Sequence, residues 1–225
     1  MDAEALPYAL DLVASSGVCL SPEKRAALRN SLLLVRRDYR FEQVRLWGRI
    51  QGIRGAYYIA EGLGPDRAGA RSRLYSLNCV DWSLLPPPTE EMVTLTAGLK
   101  GRFQGDPSYE YEQPEKKEDP ERPYEEEVAA LIKEETRLVA TIHQIDKAVG
   151  IVPRGAYVKS PLGPVHENRS FEGSWSIQVE RGGRVLILRS LLWLGLTFYH
   201  VPNTKQHGYI YFGNGEKNID LPFML

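Results

Sequence analysis

The four histidines are the residues of this chain best suited to acid–base or metal chemistry. They are His143, His166, His200 and His207. None has another histidine, cysteine or carboxylate at the i+2 or i+4 spacing that a metal site on one strand or helix would use. His200 and His207 flank aromatic strands and could converge across a hairpin. We nevertheless predict ordinary surface or core histidines and no metal site.

Other motifs of enzyme chemistry are weak or absent. Gly213-Asn214-Gly215 lacks the Lys-Ser/Thr of a phosphate-binding loop and the third glycine of a dinucleotide fingerprint, so we favour a hairpin turn. There is no Gly-x-Ser-x-Gly motif, and Cys79 has no basic neighbour in sequence to lower its pKa. Glu90-Glu91 and Glu134-Glu135 are expected at helix starts or on exposed helical faces, where adjacent residues do not face each other. We therefore predict that the protein is not an enzyme and that it has no catalytic residue and no cofactor.

Length and composition limit the class of protein. The chain has 225 residues, of which 43% are hydrophobic and 25% charged, and it has only two cysteines, as is typical of a globular chain in a reducing compartment. The acidic N-terminus has no basic region followed by an apolar run, so we expect no signal peptide. Residues 186–201 are apolar but interrupted by Arg189, which predicts buried strand and no membrane span. Arg181-Gly182-Gly183 is one turn between strands, and we expect no nucleic-acid partner.

Charge is unevenly distributed along the chain, although the formal net charge is only −1. Residues 23–73 contain 12 Lys and Arg against 5 Asp and Glu, whereas residues 106–127 contain 3 against 10. This asymmetry suits contacts with other proteins, or contacts between the two regions. Two solvated faces of one domain would explain it equally well.

The N-terminal part of the chain has strong helix signals. Residues 2–14 are apolar along one side, with Pro7 near the first turn. Ser21 followed by Pro22 and Glu23 predicts an N-cap, a first helical position and an acidic first turn. The residues after them form a broad apolar face: Ala26, Ala27, Leu28, Leu32, Leu33 and Val35.

Strand patterns begin after this helical part. Residues 44–53 predict a strand with a bulge at Gly48 or Gly52, and residues 57–60 predict its hairpin partner. Residues 73–78 are a further short strand. Thr89 is expected to cap a short helix after three prolines.

The middle of the chain is ambiguous. Residues 106–123 are acidic and contain several prolines, which predicts an exposed loop. Residues 124–136 predict a helix, with Val128, Leu131 and Ile132 as its apolar stripe. Leu138, Ala140 and Ile142 alternate, so we favour a strand there. Leu138, Ile142 and Ile145 also fit a helix that continues through Asp146.

The C-terminal part predicts an antiparallel meander. A strand at 151–158 is followed by the clearest strands, at residues 175–179, 185–189, 196–200 and 209–212. Helices first and antiparallel strands later predict an α+β fold, with N-terminal helices followed by an antiparallel sheet and one further helix in mid-chain. We expect one domain with four parts: residues 1–40 (helical), 41–104 (first β-rich part), 105–123 (acidic loop) and 124–225 (helix plus C-terminal antiparallel sheet).

Aromatic residues suggest a protein interface. Tyr109 and Tyr111 lie in the predicted acidic loop and have no obvious core to join, which is typical of interface anchors. The candidate interface residues are Tyr57, Tyr58, Phe103, Tyr109, Tyr111 and Trp193. Core packing on a sheet is the alternative for Trp193.

Ten segments, spread over almost the whole chain, match the pattern of one protein family. They are Trp47–Ile50, Tyr57–Glu61, Leu74–Cys79 with Trp82, Lys100–Phe103, Gly105–Tyr111, Ile132–Leu138, Gln144–Asp146, Pro153–Ala156, Leu188–Trp193 and Gly215–Leu225. Through these segments the chain resembles the radial spoke head protein family of the 4/6/9 type.

The resemblance implies a non-catalytic structural subunit of the axonemal radial spoke head, which supports assembly and motility of cilia and flagella. It implies location in the axoneme, the cytoplasm and the cytoskeleton. The implied partners are radial spoke head proteins of types 1, 3, 4/6 and 10, in a homo- or hetero-oligomer, and the central-pair apparatus indirectly.

Two departures from the family pattern affect this expectation. The family has a longer polar and charged stretch between the positions of Gly173 and Ser174, which are joined directly here, so the chain resembles a shortened form. If that stretch is a surface loop, the sheet should form without it. If it supplies a strand or an interface, assembly should be impaired. Leu194 stands where the family usually has proline, which loosens one turn.

Two other functions remain open at this point. One is a reversible peptide- or protein-binding module that contacts its partner through residues 106–123 and has no axonemal role. The other is an enzyme with a site built from scattered residues, which would lose turnover when His200 or His207 is changed.

Overall fold

The structure is a computed structural model that describes residues 1–14, 19–65, 71–112, 131–149, 157–159, 161, 165–167 and 175–221. Within these ranges the helices are α1 (Leu6–Leu12), α2 (Pro22–Asp38), α3 (Glu90–Thr96) and α4 (Glu134–Val149). The strands are β1 (Gln43–Gln51), β2 (Ala56–Leu63), β3 (Ser72–Ser76), β4 (Ser83–Leu84), β5 (Glu110–Glu112), β6 (Leu131–Lys133), β7 (Tyr157–Lys159), β8 (Val165–Glu167), β9 (Trp175–Glu180), β10 (Val185–Ser190), β11 (Leu196–His200) and β12 (His207–Gly213).

An eight-stranded sheet is the centre of the fold, in the order β4-β3-β2-β1-β12-β11-β10-β9. Strands β1 and β12 are parallel, and the other neighbours in the sheet are antiparallel. Two further antiparallel pairs, β5–β6 and β7–β8, lie outside it. The predicted α+β class, with helices first and an antiparallel meander last, is confirmed. None of the described helices is long and apolar enough to cross a membrane.

Strand β1 changes its pairing at Gly48. Its register with β2 shifts between Leu46 and Gly48, which confirms a bulge at one of the two predicted glycines. A Cβ on Gly48 would lie 2.1 Å from the carbonyl oxygen of Tyr211, so only glycine lets β12 approach there. Before the bulge, the backbone amide of Leu46 donates instead to the carbonyl of Met1 at 2.7 Å.

Helices cover both faces of the sheet. Because side chains alternate along a strand, neighbouring residues of β2 enter two separate cores: Tyr58 and Ala60 in one, Tyr57 and Ile59 in the other. Helices α1 and α2 pack on the first core through Leu6, Leu10, Leu28 and Leu32. Helix α4 packs on the second core through Leu138, Ile142 and Ile145.

Both predicted helix caps are confirmed. The Ser21 hydroxyl accepts from the amide of Lys24 at 3.4 Å, and the Thr89 hydroxyl accepts from the amide of Met92 at 3.2 Å. The predicted apolar face of α2 is narrower than expected, because Leu33 is 40% exposed.

The prediction for the middle of the chain is wrong in part. Residues 131–133 form strand β6, not helix, and the helix begins at Glu134 and continues to Val149. The alternative of a helix through Asp146 is therefore confirmed. Residues 110–112, expected in a loop, form β5, and the predicted elements at 113–130 and 151–156 lie outside the described residues.

The C-terminal meander is confirmed as strands β9 to β12, with the turn at residues 181–183 in the left-handed region. The hairpin predicted at Gly213-Asn214-Gly215 is wrong. A turn is present there, but no strand follows it before residue 221, and the amide of Gly215 instead donates to the Tyr211 hydroxyl at 2.9 Å.

Candidate functional site

One end of the molecule is built around a single buried carboxylate. We name it the Glu134 platform: the β1–β2 turn (residues 52–55), residues 101–108, strands β5 and β6, and the first turn of α4. These segments come from three separate parts of the chain: residues 52–55, 101–112 and 131–137. Side-chain and backbone hydrogen bonds hold them together.

Glu134 is fully buried and accepts five hydrogen bonds. The Tyr57 hydroxyl and the Gly105 amide donate to Oε1 at 2.7 Å, and the Asp106 amide does so at 3.2 Å. The Gln104 amide donates to Oε2 at 2.7 Å, and the Tyr111 hydroxyl also donates to Oε2. The carboxylate also lies at the positive end of the α4 dipole. Of the two positions expected for the Glu134-Glu135 pair, the helix start is confirmed, because Glu134 begins α4, but Glu134 is buried and not on an exposed face.

The two tyrosines at this carboxylate keep their protons. Burial, together with the hydrogen bond to Glu134, raises the pKa of Tyr57 far above its ordinary range. Burial and the same acceptor raise the pKa of Tyr111 to about 12. Both hydroxyls therefore remain donors at physiological pH, which suits a structural role.

Arg137 fixes the neighbouring segments one helical turn further on. Its guanidinium lies over the ring of Phe103, 4.4 Å from the centroid, and 5.1 Å from the centroid of Tyr111. It also donates to the Tyr111 hydroxyl at 3.0 Å and to the carbonyl of Gly101. Strand β5 and residues 101–103 are thereby tied to the same helix.

Two glycines, Gly52 and Gly105, allow the β1–β2 turn to pack against this unit. The amides of residues 53 and 54 donate to the carbonyls of residues 103 and 104, each at 2.8 Å. Gly105 has φ +89°, and a Cβ there would lie 2.6 Å from the amide nitrogen of Gly55. A Cβ on Gly52 would lie 2.7 Å from the carbonyl oxygen of Gly55. Close backbone contact at this point requires residues without side chains.

The structure separates the six predicted interface residues into two groups. Four are buried and have no surface to offer a partner, because they belong to the cores of the chain: Tyr57, Tyr58, Phe103 and Trp193. Tyr109 is 39% exposed, and its ring lies edge-on to that of Tyr111, with centroids 5.0 Å apart. Tyr111 belongs to neither hydrophobic core, but it is half-buried and held by Glu134 and Arg137.

Sequence reasoning missed two exposed apolar residues on the Glu134 platform. Ile53 is 60% exposed at the tip of the turn, and Leu131 is 57% exposed on β6. The sequence did contain a signal for Ile53: it is a large apolar residue within a predicted tight turn, where small or polar residues are usual. Like Tyr109, each is an exposed apolar side chain on a segment that hydrogen bonds hold in place.

A second buried charged cluster lies beside α4. Arg73 donates to Glu61 at 2.6 Å and also to Asp146, whose other oxygen accepts from the indole nitrogen of Trp47 at 2.7 Å. Burial by itself raises the pKa of Glu61, but Arg73 and Arg71 outweigh it, and the pKa is lowered. Glu61 is paired with Arg71 and Arg73. Asp146 accepts from Arg73 and from Trp47, so this cluster joins strands β1 to β3 to α4.

A pocket of about 300 Å³ adjoins that cluster. Three consecutive prolines (residues 86–88) form one wall, Val139 and Ile142 on α4 form the other, and His143 lies at its side. Within the described part of the chain there is no group of three or more metal-ligating side chains.

The fold is α+β, with helices on both faces of the sheet. Buried polar contacts fix the Glu134 platform. Both features fit a protein that works through its surfaces. Comparison with known sequences gives the family. Residues 4–170 match the radial spokehead-like protein family, and the chain belongs to that family. It is similar to the radial spoke head protein 9 homologs of Homo sapiens and Bos taurus, each 50% identical, and of Mus musculus, 49% identical. These alignments cover 100% of both chains.

The alignments also bear on chain length. Each runs over 276 positions, more than the 225 residues of this chain, so the relatives have positions with no counterpart here. This agrees with a shortened form. The location of the missing stretch between Gly173 and Ser174 stays a prediction.

Proposed function

We propose that this chain is a non-catalytic structural subunit of the axonemal radial spoke head, which supports spoke-head assembly and the motility of cilia and flagella through protein–protein contacts. The observation that supports this most is 50% identity, over the full length of both chains, to the human radial spoke head protein 9 homolog. The buried carboxylates Glu134 and Glu61 agree with it, since each is occupied by fixed structural partners.

The Glu134 platform is the contact surface within this function. Tyr109, Ile53 and Leu131 are exposed, whereas the backbone beneath them is held by the Glu134 carboxylate and by the glycine contacts. Side chains on an ordered backbone lose less conformational entropy on binding, which removes one of the costs of association. Tyr111 supports this surface from below and does not itself lie at its centre.

The partners are other radial spoke head proteins, of types 1, 3, 4/6 and 10, and the central-pair apparatus is reached indirectly. Aromatic side chains at the centre of an interface contribute most of its binding energy, and a single truncation costs about 2 kcal/mol or more. Tyr109 is the aromatic residue of the Glu134 platform that is available for this role.

Affinity purification from ciliated cells tests the function. The tag belongs at the C-terminus, because the amine of Met1 is buried and donates to the carbonyl of Leu46 at 2.7 Å. We expect spoke head proteins to copurify with the chain. Recovery of none of them, from this chain and also from a version with the extra positions of the human relative restored, would contradict the proposal. Recovery with the restored version alone would assign docking to the missing stretch.

Two variants test the surface separately from the function. Tyr109→Ala should lower recovery of the partners at least tenfold while the melting temperature stays unchanged. Tyr8→Ala is the matched control, because Tyr8 is 55% exposed on α1, on the other face of the sheet. Equal recovery with both variants would exclude Tyr109 as a contact and leave the spoke-head role intact.

A further inference from the structure

Two histidines meet on the hairpin formed by β11 and β12. His200 and His207 are direct partners in the register of these antiparallel strands. The amide of Val201 donates to the carbonyl of Gln206 at 2.9 Å, so Val201 and Gln206 form a hydrogen-bonded pair. Because such pairs alternate along antiparallel strands, the neighbouring pair of histidines is a non-hydrogen-bonded pair. Side chains of non-hydrogen-bonded pairs lie closest together, on the same face of the sheet.

The two rings are close to the spacing that one metal ion requires. Their centroids are 6.5 Å apart and the ring planes are at 79°. An imidazole nitrogen binds Zn²⁺ at about 2.0–2.1 Å, so two rings on one tetrahedral ion have centroids about 5 Å apart. An approach of about 1–1.5 Å is needed. Side-chain rotation can provide it, because His207 is exposed and His200 is only half-buried.

Each ring can offer a nitrogen lone pair. Nδ1 of His207 lies 3.0 Å from the carbonyl oxygen of Lys205, and donation there leaves its Nε2 as an acceptor. Nε2 of His200 lies 3.4 Å from the carbonyl oxygen of Thr204, which is long for a hydrogen bond and easily exchanged for a metal bond. A backbone carbonyl that accepts from the ring nitrogen not bound to the metal is a usual partner of a metal-binding histidine.

We propose that His200 and His207 form a two-histidine binding site for a divalent cation that prefers nitrogen ligands, such as Zn²⁺, Ni²⁺ or Cu²⁺. Imidazole suits these ions, whereas Mg²⁺ and Ca²⁺ prefer oxygen. Because the described residues supply no third histidine, cysteine or carboxylate to this cluster, water fills the remaining positions. The site should bind Cu²⁺ more tightly than it binds either Ni²⁺ or Zn²⁺.

Calorimetric titration of the full-length chain with ZnCl₂, NiCl₂ and CuCl₂ tests the site. The titrations use a Cys19→Ser background, because Cys19 is an exposed thiol that could bind the same ions. We expect one equivalent of each ion to bind, and His200→Gln and His207→Gln each to lower the affinity at least tenfold. His143→Gln is the matched control, a histidine on α4 without a histidine partner, and it should leave the affinity unchanged.

Two results would overturn the proposal. One is no saturable binding of any of the three ions by the Cys19→Ser chain. The other is binding that His200→Gln and His207→Gln leave unaltered, which would place the ion elsewhere. Circular dichroism and melting temperature of each variant show that the fold is retained, since the rings lie at a hairpin end outside both cores.

Discussion

Replacing Glu134 by glutamine tests whether one carboxylate organises the end of the molecule. Oε2 accepts from the Gln104 amide and the Tyr111 hydroxyl, and Oε1 accepts from the remaining three donors. Glutamine keeps one acceptor oxygen and places an NH₂ group at the other position. The Tyr111 hydroxyl can turn to accept from that group, but the backbone amide of Gln104 cannot. At least one buried donor is therefore left without a partner.

The expected loss follows from these contacts. A buried donor without an acceptor costs about 1–3 kcal/mol, and the bonds that remain lose the strength that the negative charge gives them. We expect Glu134→Gln to lower the free energy of unfolding by about 2–4 kcal/mol. In a chain of this size that corresponds to a fall of about 4–16 °C in melting temperature.

Urea unfolding, followed by tryptophan fluorescence and by circular dichroism, measures this change. Glu110→Gln is the matched control, because Glu110 is an exposed glutamate on β5, and it should change the unfolding free energy by less than about 0.5 kcal/mol. Tyr111→Phe should be less damaging than Glu134→Gln and non-additive with it, since both act on one contact. A loss below about 1 kcal/mol for Glu134→Gln would refute the assignment of Glu134 as the organising group.

Three other substitutions test separate features by denaturant or thermal unfolding. Trp193→Ala should cost about 3–5 kcal/mol, because Trp193 is 3% exposed in the core beneath α4; an unchanged melting temperature would show that it is not core. Gly105→Ala should cost about 1–3 kcal/mol from its positive φ and the contact with Gly55, and wild-type stability would contradict that strain. The pKa of Glu61 is lowered, so its stabilisation is complete above the ordinary value of 4.5 and is lost as the pH falls through the lowered pKa. Glu61→Gln should therefore flatten the acid side of the stability–pH curve, and identical curves would count against the Glu61–Arg73 pair.

Local sequence patterns were enough to predict elements whose structure depends on neighbouring residues alone. The Ser21 and Thr89 caps and the strands from residue 175 onward depend on residues close together in sequence. For the bulge in β1 the sequence left two positions, Gly48 and Gly52, and the pairing with β2 places it at Gly48. The family resemblance was also present in the sequence, and the comparisons confirm it.

Where two patterns competed, tertiary packing decided. Leu138, Ala140 and Ile142 alternate as in a strand, whereas Leu138, Ile142 and Ile145 fit one face of a helix. The helix forms because the latter three residues all enter the core between α4 and the sheet. Residues 131–133 became strand because β5 offered them a partner. The periodicity of apolar residues alone predicts neither the packing of α4 on the sheet nor the pairing of β6 with β5.

The sequence by itself determined the class of fold, the starts of α2 and α3, the C-terminal meander and the family. Only the tertiary structure decided that Glu134 is buried, that Tyr111 is its partner and that Tyr57, Phe103 and Trp193 are core. The reason is distance along the chain. The Glu134 carboxylate gathers donors from residues 57, 104–106 and 111, and the parallel pairing of β1 with β12 joins residues 48 and 211. Contacts over such separations leave no periodic signal, because their energy appears only once the intervening chain has folded.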